Sequence, residues 1–312
     1  MMALHDEADT VGGIMPRRER AFLFCRYILT IGDEVVAPEH HLTLFQELQG
    51  QNVVHGRSTG AGDVANTLLM RPREHMVEGA QIITMSVGYQ TGGSLQAKYD
   101  ARHDEISHTI VGQDGVRYSD FVIVPSLGVM AIDDRASDVM LGGRPAINRL
   151  KSVIRSKDDG DISVVAQASP DEVRKALTDW SLTSFNFTVR PNNPRPVSRL
   201  AEDLSEQLKK DGIGQLRAIA RPAGREMRMS PEGLMVRAAD LSDAGYGQYS
   251  LTGITPSGLE AQIKKPTFSQ DRERNERAQD KPRELRVFVD TDGLQEDQIL
   301  LSAGRALIEF YS

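Results

Sequence analysis

Arginine is concentrated where this chain could hold phosphate. Between Arg190 and Arg237 there are ten Lys/Arg against six Asp/Glu, and a second basic run at 264–286 carries eight against five. A guanidinium offers a planar fork of donors that matches two phosphate oxygens, and such contacts position a protein on a nucleic-acid backbone without reading its sequence. The candidate nucleic-acid-binding residues are therefore Arg190, Arg195, Arg217, Arg221, Arg225 and Arg228, with Lys264, Lys265, Arg272, Arg274 and Arg277 from the second run. The competing reading is a solvated face whose arginines pair with Glu202, Asp203, Glu206 and Glu226.

Other chemistry is less well supported by spacing. All seven histidines lie at or before His108. His103 and His108 are five apart, one step off the i, i+4 spacing that sets two ligands on one helix face. His40, His41 and His75 have no partner at ligand spacing, so the histidines read as surface residues. Ser58-Thr-Gly-Ala-Gly-Asp63 lacks the Gly-Lys-Ser/Thr ending of a phosphate loop and reads as a turn. Asp133-Asp134 could hold a divalent ion for phosphodiester cleavage, and Asp290-Thr-Asp292-Gly293 echoes a calcium loop without its later ligands. Both read as turn carboxylates. Cys25 lies inside an apolar strand pattern and reads as buried. No catalytic, metal or cofactor site is assigned.

These side chains must be carried by elements that the apolar spacing outlines. Ala21–Ile31 predicts a central strand, residues 39–49 a short helix and Ile82–Tyr89 a strand. Phe121–Val124 and Val129–Ile132 predict a hairpin about Pro-Ser-Leu-Gly. Helices follow at 142–155 and 170–180, with a short strand at 162–166 between them. Phe185, Phe187 and Val189 alternate with polar residues and predict a strand that Pro191 ends. Asn193 as N-cap then opens an amphipathic helix through Leu200, Leu204 and Leu208, which Gly212 closes. Residues 215–221 and 225–229 predict a second hairpin that carries the arginines. Leu285–Val289 predicts a strand, and Ile299–Phe310 the closing helix.

The 312 residues, 39% hydrophobic, suffice for two cores. The expected fold is α+β in two domains, each a mainly antiparallel sheet with packed helices. The expected divisions are a disordered lead-in at 1–16, an N-terminal domain at 17–157 and a second domain at 158–263. A charged arm or linker at 264–284 and a C-terminal strand and helix at 285–312 complete the chain. A net charge of −7 argues against a protein coated in positive charge and leaves room for a local basic face. The single cysteine suits a reducing compartment. The acidic start is unlike a signal peptide, and the longest apolar run is too short to span a bilayer. The expected location is the cytoplasm.

Three features resemble the RexA-like phage exclusion family. They are the hairpin Asp120–Ile132 with the Asp/Ser/Gly-rich loop and helix after it, the strand Phe185–Arg190 closed by Pro191 before an amphipathic helix, and the hairpin Leu216–Met229 leading into Ser-Pro-Glu-Gly-Leu. The resemblance is one of pattern and spacing, mostly between residues 120 and 235. It implies a two-domain homodimer that binds double-stranded DNA with little sequence preference and acts in anti-phage exclusion beside a membrane-protein partner. The expected function is thus non-enzymatic nucleic-acid binding. The alternatives are an oligomer-forming interaction module and, behind it, a metal-dependent nuclease.

Overall fold

The computed structural model describes residues 19–54, 66–91, 98–100, 104–107, 115–137, 139–157, 159–166, 168–191, 198–224, 227, 229–230, 232–265 and 283–312. In chain order the strands begin with β1 (Glu19–Ile31), β2 (Glu34–Val35), β3 (Val53–Val54), β4 (Asn66–Val77) and β5 (Ala80–Thr91). Then come β6 (Lys98–Asp100), β7 (Glu105–Ser107), β8 (Gly115–Val124), β9 (Val129–Asp133) and β10 (Gly160–Val165). The last five are β11 (Ser181–Val189), β12 (Leu216–Ala220), β13 (Gly247–Ile254), β14 (Glu260–Lys265) and β15 (Glu284–Asp290). The helices are α1 (His41–Leu48), α2 (Gly143–Arg155), α3 (Pro170–Asp179), α4 (Arg199–Lys210), α5 (Leu234–Leu241) and α6 (Glu296–Tyr311).

The strands join one antiparallel sheet in the order β12-β11-β13-β14-β15-β1-β9-β8-β5-β4-β3, so the fold is α+β. β1 is its hub because it is long enough to serve two partners on one side. Its first half pairs with β15 and its second half with β10, which lie end to end. Strands 160–165 and 284–290, expected beyond a boundary near residue 157, therefore both hydrogen-bond to β1, and the sheet carries no break there.

The alternation within β1 sorts the layers. Phe22 and Phe24 face a core shared with α3, α4, α5 and α6, while Leu23, Cys25, Tyr27 and Leu29 face a second core under α1 and α2. Helix α6 comes close to the sheet at Gly304, where a Cβ would sit 2.6 Å from the Ile82 Cδ1 atom. A side chain there would require the Ile82 side chain to move or the helix to shift. Helix α3 begins in a capping box, with Ser169 Oγ accepting from the Glu172 amide and the Glu172 carboxylate accepting from the Ser169 amide.

Several expectations need correction. Helix α4 starts at Ser198, whose Oγ accepts from the Ala201 amide at 3.1 Å, and not at Asn193; Gly212 does turn the chain after it, at φ +68°. Of the hairpin expected at 215–229, Arg225, Glu226 and Arg228 lie outside the described residues; among the described ones β12 pairs with β11, and Met227 bridges to Leu182 of β11. Lys264 and Lys265, expected in a solvated arm, belong to β14. The loop at 58–63 and the pair His103 and His108 lie outside the described residues.

His41 is not a surface histidine. It is buried, and its Nε2 sits 2.9 Å from the Val36 carbonyl while its Nδ1 sits 2.9 Å from the Tyr27 hydroxyl. A carbonyl only accepts, so Nε2 carries the proton and Nδ1 accepts from tyrosine. Burial pushes the imidazole below its usual 6.5. The folded state then binds fewer protons than the unfolded chain as pH falls below about 6.5, so stability declines on acidification. Unfolding midpoints measured between pH 7.5 and 5 are expected to fall more steeply for wild type than for His41→Gln. Parallel curves would place the titration elsewhere.

Candidate nucleic-acid interface

The half of the sheet formed by β12, β11, β13 and β14 has one covered face and one open face. Phe185, Phe187, Val189, Tyr249, Leu251, Ala261 and Ile263 are buried toward the α4 and α5 side. Their strand neighbours point the other way, because successive side chains alternate. Thr188 pairs directly with Arg217 on one side and Gln248 on the other; Asn186 pairs with Ile219 and Ser250, and Ser250 with Lys264. Those registers lay out one polar row, Arg217–Thr188–Gln248, across three strands, and a second, Ile219–Asn186–Ser250–Lys264, across four, polar except for the exposed Ile219.

The rows border a shallow concavity of about 340 Å³ lined by the polar Asn186, Thr188, Arg217, Gln248, Ser250 and Lys264 together with the apolar Ile219, and among the described residues no carboxylate lines it. Arg217 and Lys264 are exposed, on strands three spacings apart, which is about 14 Å at 4.7–4.9 Å per spacing. Between them the surface offers amides and hydroxyls. The nearest acid across the ladder, Glu284 opposite Lys264, is already tied to Arg144 and Arg286. The aromatic rings of these strands turn to the covered face, so the open face offers donors for phosphate and no ring for base stacking.

The candidate residues divide sharply. Arg217 and Lys264 are brought together on the open face. Arg221 is exposed just past β12. Arg190 directly follows β11 and donates to Gln215 Oε1 at 2.9 and 3.1 Å, which holds it at the rim. Lys265 is withdrawn: it is buried on the covered face, where its ammonium donates to the Ser242 carbonyl and lies 3.6 Å from Asp243. Burial lowers this amine against the pull of Asp243. Arg283 completes the group, donating to Asp243 at 2.7 Å. Arg195, Arg225, Arg228, Arg272, Arg274 and Arg277 lie outside the described residues.

A second ionic group, not expected from the sequence, lies at the centre of the sheet. Arg20 is 1% exposed; it donates to Asp120 at 2.6 Å and to Asp133 through Nε at 2.9 Å, and it also bonds Glu296 at the start of α6. Ser86 and Arg71 donate to Asp120 at 2.5 and 3.3 Å, and Arg135 to Asp133 at 2.8 Å. Arg71 reaches inward from an irregularity in β4, at φ 52°. Burial would raise Asp120, yet the two arginines and the serine hydroxyl hold it below its ordinary 3.8. Asp134 accepts from the Gly143 amide and Arg286. Asp133, expected as a turn carboxylate, is buried at the end of β9, while Asp134 lies in the connection that follows. Their oxygens accept from guanidinium and amide donors. Among the described residues no group of three potential metal ligands occurs.

The sequence signal for this group was faint: single charges, Asp120 and Asp133, inside or ending apolar runs. Among the described residues no helix is long and apolar enough to cross a membrane. Comparison with known proteins finds no matching family model and no matching curated protein.

Proposed function

We propose that the open face of β11–β14 binds the backbone of double-stranded DNA, with little sequence preference and without catalysis. The observation that carries this reading is the concavity holding Arg217 and Lys264, with no carboxylate among its described lining residues, on a protein of net charge −7. Such a surface attracts polyanions locally while the rest of the molecule repels them, so the face both binds and orients. Among the described residues no ring of β11–β14 turns to this face, which favours duplex phosphates over unstacked bases. The anti-phage role belongs to this proposal as the setting that the sequence resemblance implies.

Salt dependence is the direct test. If Arg217, Arg221 and Lys264 each neutralise one phosphate, duplex affinity is expected to fall about fortyfold between 50 and 200 mM salt, from a slope of about −0.9 per phosphate. Fluorescence anisotropy on two unrelated 20-base-pair duplexes should give the same curve for both. Flat curves, or affinity kept by an Arg217→Glu/Lys264→Glu variant, would remove the proposal.

Homodimerisation is a second proposal, which competes with the first because Ile219 also lines the concavity. It is favoured by β12, the end strand of the sheet path, whose Ile219 is 57% exposed. Light scattering of Ile219→Lys against wild type is expected to show a smaller mass for the variant.

A further inference from the structure

On the opposite side of the sheet from the open face, a cavity of about 200 Å³ lies between α3, the turn joining β13 to β14, and α6. Its floor is apolar: Trp180, Val287 and Ala306 are buried, and Phe310 meets Trp180 edge to face with ring centroids 6.3 Å apart. Pro256 closes one side. An apolar cavity of about 150 Å³ suffices for benzene, so this one has room for a single ring and a short tail.

The rim has the opposite character. Asp179 and Glu309 are exposed carboxylates on it, and neither takes part in a hydrogen bond or ion pair among the described residues. The third charge, Lys175, is engaged, its ammonium 3.3 Å from the Phe310 carbonyl and 5.8 Å from the Phe310 ring centroid. Two helices also end here. Helix α3 terminates at Asp179 with Trp180 as its C-cap, and the last turn of α6 carries Glu309 and Phe310. Helix C-termini carry partial negative charge and favour cations. Lys175 already occupies the Phe310 carbonyl and ring, and its charge offsets part of the rim; the two carboxylates and the end of α3 outweigh it and favour a second cation seated above the apolar floor.

We propose that this cavity binds a small primary amine with a one-ring apolar body, the ring in the Trp180–Phe310 cavity and the ammonium between Asp179 and Glu309. The site is separate from the open face, and its test does not involve DNA.

Trp180 is the only tryptophan of the chain, so its emission reports the cavity directly. Titration with phenethylamine is expected to change that emission saturably, with a Kd in the millimolar range or tighter. Phenylacetate, which has the same ring and the opposite charge, should bind at least fivefold more weakly. An Asp179→Asn/Glu309→Gln variant should bind the amine about tenfold more weakly, since each exposed charge contributes up to about a fivefold factor. Both changes are at exposed positions and leave the floor intact. A linear, unsaturating response to the amine, equal affinity for amine and carboxylate, or an unchanged Kd in the double variant would each overturn the assignment.

Discussion

Replacing Arg20 with methionine is expected to lower the unfolding free energy by about 3–5 kcal/mol, the cost of leaving buried charges without their partner. Asp120 and Asp133 are 1% and 0% exposed, and among the described residues Arg20 alone bonds both. Arg71 and Ser86 remain on Asp120 and Arg135 on Asp133, but Arg135 is 45% exposed and screened by water. The Arg20 guanidinium shows the same balance from the other side. Burial would lower it, yet the charges of Asp120, Asp133 and Glu296 hold it above its ordinary value. The loss should depend on pH. Because Asp120 titrates below 3.8 when folded, its contribution in wild type is present above that value and disappears as pH falls through the folded pKa. Without Arg20 the carboxyl loses its strongest counter-charge, and acid unfolding is expected to begin at a higher pH. Urea unfolding from pH 7 to 3 measures both effects; a loss under about 1 kcal/mol with an unmoved acid limb would mean that the group is solvated and mechanically unimportant. Since Glu296 opens α6, the same variant should also loosen that helix, visible as faster amide exchange in 296–311.

The elements legible in the sequence are those whose apolar alternation is uninterrupted. The central strand, the hairpin at 121–132, the helices at 143–155 and 170–179 and the strand at 181–189 all follow from local spacing. β4 was hidden because Arg71, Arg73, Glu74 and His75 break its pattern, and the irregularity that turns Arg71 inward exists to serve Asp120, which is 49 residues away. β14 was hidden for a different reason. Lys264-Lys265 reads as a charged run, and nothing local says that one lysine faces water and the other the interior. The basic types on the candidate face were readable, but their meeting was not. Arg217 and Lys264 lie on strands separated by β11 and β13, so only the sheet order brings them to one surface. The Arg20 group was least legible, because its partners lie 100, 113 and 276 residues along the chain.

Lys264→Glu and Lys265→Glu are expected to give opposite results although the residues are adjacent. Lys264 is exposed, so its reversal should change stability by no more than about 0.5 kcal/mol, as surface substitutions usually do. Duplex affinity should nevertheless fall about tenfold at low salt, because one phosphate contact becomes a repulsion. Lys265 is 5% exposed and packed beside Asp243, so a carboxylate there would meet a second carboxylate and the Ser242 carbonyl with only Arg283 to balance them. That change should cost about 3–5 kcal/mol and leave the affinity of the remaining folded protein unchanged. The pair separates a phosphate-binding face from a general effect of charge, since both variants alter the net charge equally. If the two lysines lowered affinity alike in the folded protein, binding would follow the overall field of the molecule, and the open face of β11–β14 would lose its special status. If only Lys264 mattered, the alternation of one strand would account for the difference, with the buried lysine holding the sheet and the exposed one meeting the phosphate.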